Sequence, residues 1–144
     1  MSTEPQKPIM AGQLTFGVDD IIGLVRVVGS GMWSAELVER HFGNLEEVLR
    51  EVRRKHGRAR TLVDLRDAAV QTAETALAMN RGTGRIYRPT DRVAAICATS
   101  LLAMQIRRTA QVHQLETFVD PQQAVQWLLS DEPAEARAAF ASAG

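Results

Sequence analysis

Apolar positions fall into short runs alternating with longer periodic stretches along the chain. Leu14 to Val18 and Ile21 to Val28 are rich in β-branched residues, and Asp19-Asp20 between them suits a tight turn, which predicts a β-hairpin. Gly29-Ser30-Gly31 then interrupts the pattern. From Ser34, a residue type that caps helices, the positions Leu37, Val38, Phe42, Leu45, Val48, Leu49 and Val52 recur at helical spacing. Charged residues such as Glu36, Glu39, Arg40, Glu47 and Arg50 occupy the opposite face, as on a helix lying against a sheet. Gly43, followed by the capping-box-like pair Asn44 and Glu47, marks a point where this helix over 34–56 can kink or split.

Gly57 supplies a stop, and Thr61-Leu62-Val63-Asp64-Leu65 reads as a buried strand. A second helix is expected from near Thr72 toward Tyr87, weakened by Gly82 and Gly84 and ended ahead of Pro89. Arg92 to Ala98 is a further strand. Thr99 or Ser100 caps a helix running toward His113, Leu115 to Val119 is the next strand, and Asp120-Pro121 opens a last helix over 122–130. The order β-β-α-β-α-β-α-β-α predicts a single α/β domain. Its expected sheet is mixed, with about five strands: the hairpin, then mutually parallel strands. About four helices cover it unequally. The domain is expected over 13–131, between a loose arm at 1–12 and an Ala-rich tail or short helix at 132–144.

Composition narrows the chemistry. The 144 residues carry 17 basic and 17 acidic side chains, so no net field draws the chain to nucleic acid or an anionic membrane. The basic run from Arg50 to Arg60 lacks the interleaved aromatics of a single-strand binder and reads as a solvated helix end. No apolar run approaches the ~20 residues of a membrane-spanning helix, and the polar, Pro-containing start is unlike a signal peptide, so a cytoplasmic location is expected. The lone Cys97 excludes an internal disulfide and sits in an apolar strand as a small hydrophobe. His41, His56 and His113 all fall in or at the ends of predicted helices, and read as surface or helix-terminal residues. No metal site, catalytic triad or cofactor motif emerges: Gly82-Thr83-Gly84 follows a helix, where a dinucleotide loop would follow a strand.

What remains is a rim. In a parallel sheet the C-terminal strand ends share one edge, and helix N-termini meet there with unpaired N–H groups. Arg66, Asp67, Thr72, Glu74, Thr75, Thr99 and Ser100 are the expected binding residues at that edge. Arg81, Arg85 and Arg88, near Tyr87 in sequence, are candidate anion contacts.

The element order, the strand Thr61 to Leu65, the leading hairpin, the Arg92 to Ala98 strand and the closing stretch Glu116 to Leu128 together resemble the STAS family. That family is named for sulphate transporters and anti-sigma-factor antagonists, and the likeness is to its antagonist-like branch, over about residues 14–130. The resemblance implies a non-enzymatic regulatory module with helices mainly on one face of the sheet. It works by binding a partner protein, with a homodimer left open, or by binding a small molecule such as a lipid or an anionic metabolite. In the family's switch, a phosphoacceptor serine starts the helix after this strand. Here Ala73 and Glu74 stand at that place, leaving Thr72 and Thr75 as the nearby hydroxyls.

Overall fold

The computed structural model describes residues 12–130. The expected N-terminal arm, apart from Gly12, and the Ala-rich tail lie outside the described residues. Within them the chain forms β1 (Gln13–Asp19), β2 (Leu24–Gly31), α1 (Ala35–His56), β3 (Arg60–Ala68), α2 (Ala73–Ile86), β4 (Arg92–Cys97), α3 (Ser100–Thr109), β5 (Gln114–Phe118) and α4 (Pro121–Leu128). The strands stand side by side in chain order, β1-β2-β3-β4-β5. β1 and β2 are antiparallel, and every later pair is parallel.

This order fixes the layers. Right-handed crossovers that always advance to the next strand leave their helices on the same face, so α1, α2 and α3 share one side. α4 follows the last strand, bridges to none, and packs against the other face on β3, β4 and β5. Strand alternation serves both sides. Val25, Val27, Leu65, Val93, Ala95 and Cys97 point to the three-helix layer, whereas Leu24, Leu62, Ala94 and Ile96 meet Ala124, Leu128 and Leu129. Arg92 reinforces the smaller layer: its guanidinium lies 4.5 Å from the centre of the Trp127 ring and donates to the Trp127 carbonyl and to Ser130 Oγ.

Two local expectations are corrected. α1 runs unbroken over 22 residues past Gly43, because burial of Val38, Phe42, Leu45, Leu49 and Val52 on one stripe outweighs the ~1 kcal/mol that a helical glycine costs. Likewise the strand continues through Gly29-Ser30-Gly31, with a register shift between Val28 and Ser30. Glycine is needed there for close approach, since a Cβ on Gly29 would lie 2.8 Å from Trp33 Cζ2 and 2.9 Å from Leu65 Cδ2.

The basic run divides into two environments. Arg54 and Lys55 stay at the surface, with Glu51 2.6 and 3.8 Å away. Arg53 turns inward to Asp91, which is fully buried and also accepts from the backbone N–H groups of Ala59 (2.9 Å) and Arg88 (2.8 Å). A buried carboxylate with this many donors clasps the end of α1, the start of β3 and the loop before β4.

Candidate functional site

The rim forms where β2, β3 and β4 end. Thr72 and Thr99 cap α2 and α3: their Oγ1 atoms accept from the backbone N–H groups of Thr75 and Leu102, each at 3.2 Å. Both threonines are exposed, as are Glu74 in the first turn of α2 and Ser100 at the start of α3. These four lie on the side of the sheet that carries α1, α2 and α3.

Gln71 holds this side together. Its buried carboxamide accepts from Trp33 N–H at 2.8 Å and donates to the carbonyls of Gly31 (3.0 Å) and Ala69 (2.6 Å). Gln71 N–H donates to Gln105 Oε1 at 2.8 Å, and Gln105 Nε2 donates back to the Gln71 carbonyl at 2.9 Å. An amide side chain suits this junction because it donates and accepts at once. The pairing ties the β3–α2 loop to α3 and sets three exposed apolar side chains beside it: Val70, next to Gln71, and Leu101 and Met104, on the turn of α3 that carries Gln105. Sequence reasoning missed Gln71, Val70, Leu101 and Met104. The only signal was spacing, with Leu101 and Met104 falling outside the buried set of Leu102 and Ile106.

Thr75 departs from its expected surface position. It is buried, and its hydroxyl donates to the Trp33 carbonyl at 2.7 Å, so it braces the loop after β2 and is closed to a partner or a kinase. Arg66 and Asp67 are exposed, but Arg66 belongs to the opposite side. Its guanidinium forms two hydrogen bonds to Asp64, at 3.0 and 2.7 Å, which hold the Asp64 carboxyl below its usual range. The pair borders an open groove of about 430 Å³ that also includes Arg26, Leu62, Ile96 and Pro121. The rim residues thus divide between two faces.

Arg81, Arg85 and Arg88 are exposed on and just after α2, with Arg85 Nε 3.5 Å from Glu46. They do not gather about Tyr87, whose side chain is buried in the core and whose hydroxyl is pushed up out of its ordinary range by that burial. The histidines separate likewise. His56 Nε2 lies 3.1 Å from the Asp20 carbonyl at the end of α1, and His113 is exposed. His41, expected at the surface, is instead buried between the Phe16 and Phe42 rings, and loss of solvent pushes its pKa down to about 4. Among the described residues no group of three His, Cys, Asp or Glu stands where it could hold a metal ion, and no helix is long and apolar enough to cross a membrane.

No protein-family model and no curated protein matches the sequence. Solved structures do match. One is an uncharacterized protein of the DUF3478 family with a SpoIIAA-like fold from Shewanella loihica PV-4, at 18% identity and a TM-score of 0.56, covering 87% of this chain and 99% of that one. Another is an anti-sigma factor antagonist from Mycobacterium paratuberculosis, at 14% identity and a TM-score of 0.50, covering 81% of this chain and 94% of that one. At such identities the likeness is one of fold. With the five strands in chain order, three helices on one face and a fourth behind, the chain has the STAS-like, SpoIIAA-like fold that its strand motifs resemble.

Proposed function

We propose that this protein is a cytoplasmic, non-enzymatic regulatory module that binds a protein partner through the helix side of the rim. The observation that carries the reading is that Val70, Leu101 and Met104 are exposed on the two segments that the Gln71–Gln105 pair joins. Apolar side chains grouped beside polar ones on a rigid edge are the makings of an interface centre. Around them stand Thr72, Glu74, Thr99 and Ser100, whose hydroxyls and carboxylate supply a polar border. A solved neighbour of the same fold is named as an antagonist of an anti-sigma factor, itself a protein, which favours this class of partner.

The module works without a serine switch. Ala73 and Glu74 occupy the place of the family's phosphoacceptor, and Thr75 is sealed inside, so Glu74 presents a permanent carboxylate at the start of α2.

A photo-crosslinking residue placed at Leu101 in cells tests the reading, with the same residue at Glu39 on the solvent face of α1 as control. A discrete protein adduct is expected at position 101 and not at 39, and Val70→Arg should abolish it. Adducts that are absent at both positions, equal at both, or insensitive to Val70→Arg would overturn the proposal.

A further inference from the structure

Between the sheet and the three-helix layer lies a partly open cavity of about 70 Å³. Val38, Phe42 and Leu45 of α1, Val63 and Leu65 of β3, and Ile106 of α3 form much of its wall. No Asp, Glu, Lys or Arg takes part in the lining, and its polar side chains are those of Trp33, His41, Thr83 and Tyr87; the Trp33 indole N–H is already given to the carbonyls of Gln13 and Ser30. Thr83 is already engaged: its hydroxyl donates to the Met79 carbonyl and accepts from Gln111 N–H, both at 2.8 Å. The Tyr87 hydroxyl lies near Thr61, whose own Oγ1 has no hydrogen-bond partner among the described residues.

His41 is different. It is 6% exposed, touches the rings of Phe16 (5.8 Å between centroids) and Phe42 (5.2 Å), and neither of its nitrogens has a hydrogen-bond partner among the described residues. A leucine on the same stripe would cover the same wall without leaving a donor and an acceptor unpaired. The neutral imidazole offers one of each, and His41 lines the otherwise largely apolar cavity.

We propose that this cavity is a binding site for a small, uncharged, short-chain alcohol, whose hydroxyl exchanges hydrogen bonds with His41 while its carbons occupy the apolar wall. A hydroxyl fits because it both donates and accepts, and the absence of ionic lining disfavours anions and cations alike. Size agrees. The space is about half that of the ~150 Å³ apolar cavity known to take up benzene, which suits a chain of a few carbons. The site is independent of the rim, and neither proposal needs the other.

The test uses the full chain, with n-butanol as probe and xenon as an apolar probe lacking a hydroxyl. Butanol should shift the methyl resonances of Val38, Leu45 and Val63 and the imidazole ¹⁵N resonances of His41. In His41→Leu, butanol binding should weaken at least tenfold while xenon still enters, and Ala110→Leu, at the cavity wall, should exclude both. Butanol that leaves the methyls or the His41 nitrogens unmoved in the native chain, or that binds His41→Leu equally well, would sink the assignment. The native-chain spectra decide the matter even if a variant fails to fold.

Discussion

A histidine held neutral by burial makes stability depend on pH. The His41 pKa falls from 6.5 to about 4 on folding, with loss of solvent as the cause and no charged neighbour contributing. Above pH 6.5 both folded and unfolded chains hold this group neutral. As pH drops below that value the unfolded chain gains a proton that the folded chain refuses, so its contribution is lost between pH 6.5 and about 4. At ~1.4 kcal/mol per pH unit the loss totals roughly 3 kcal/mol. Carboxylates also titrate toward the lower end, so the measurement is a difference: urea midpoints of the native chain and His41→Leu at pH 7.5, 5.5 and 4. The native chain should lose more stability than the variant; parallel losses would refute the assignment. Residues of this kind were the least legible in the sequence. His41 shares its helix face with Val38, Phe42 and Leu45, yet its polarity argued for the surface. Gln71, Thr75 and Asp91 are polar residues buried by partners far away in the chain, and neither spacing nor propensity reveals such pairings.

At the scale of elements, helix and strand positions were readable because each depends on local periodicity, while glycine misled in both directions. Gly43 lies on the exposed face of α1, where a Cβ would meet nothing within 4 Å. Gly82 lies in α2 under α1, where a Cβ would fall 2.7 Å from Phe42 Cγ. Both look like helix weakeners, yet their replacements should act with opposite sign. Gly43→Ala should stabilise by about 1 kcal/mol through helix propensity alone. Gly82→Ala gains the same propensity term but drives a methyl into an aromatic ring, and should destabilise by roughly 1 to 3 kcal/mol. Chemical denaturation of the two variants checks this, and a shared sign would show that α1 and α2 are not packed as described. The Gly29 to Gly31 stretch follows similar logic: in the sequence it looks like an interruption, because the closeness of Trp33 and Leu65 is a tertiary fact.

For the whole molecule, the alternation of strands and helices was enough to predict an α/β domain with a leading hairpin, and the strand motifs pointed to its family of folds. The division of the rim was not legible, since it depends on which way each side chain leaves its strand: Asp64 and Arg66 face the α4 side, Thr72 and Thr99 the other. One sheet serves both cores, so the two layers should melt together. Nature supplies a reporter for each, with Trp33 in the larger cluster and Trp127 against the smaller. Trp33→Phe and Trp127→Phe, each leaving one fluorophore, should unfold with the midpoint their circular dichroism gives; separate fluorescence and dichroism midpoints would mean that the faces come apart. The sequential arrangement of strands also bears on birth at the ribosome. Each β-segment docks beside the one synthesised just before it, so the sheet can grow strand by strand. The back of the sheet, with Leu24, Leu62, Ala94 and Ile96, stays wet until α4 has emerged, and for that interval the nascent chain offers a greasy surface to chaperones.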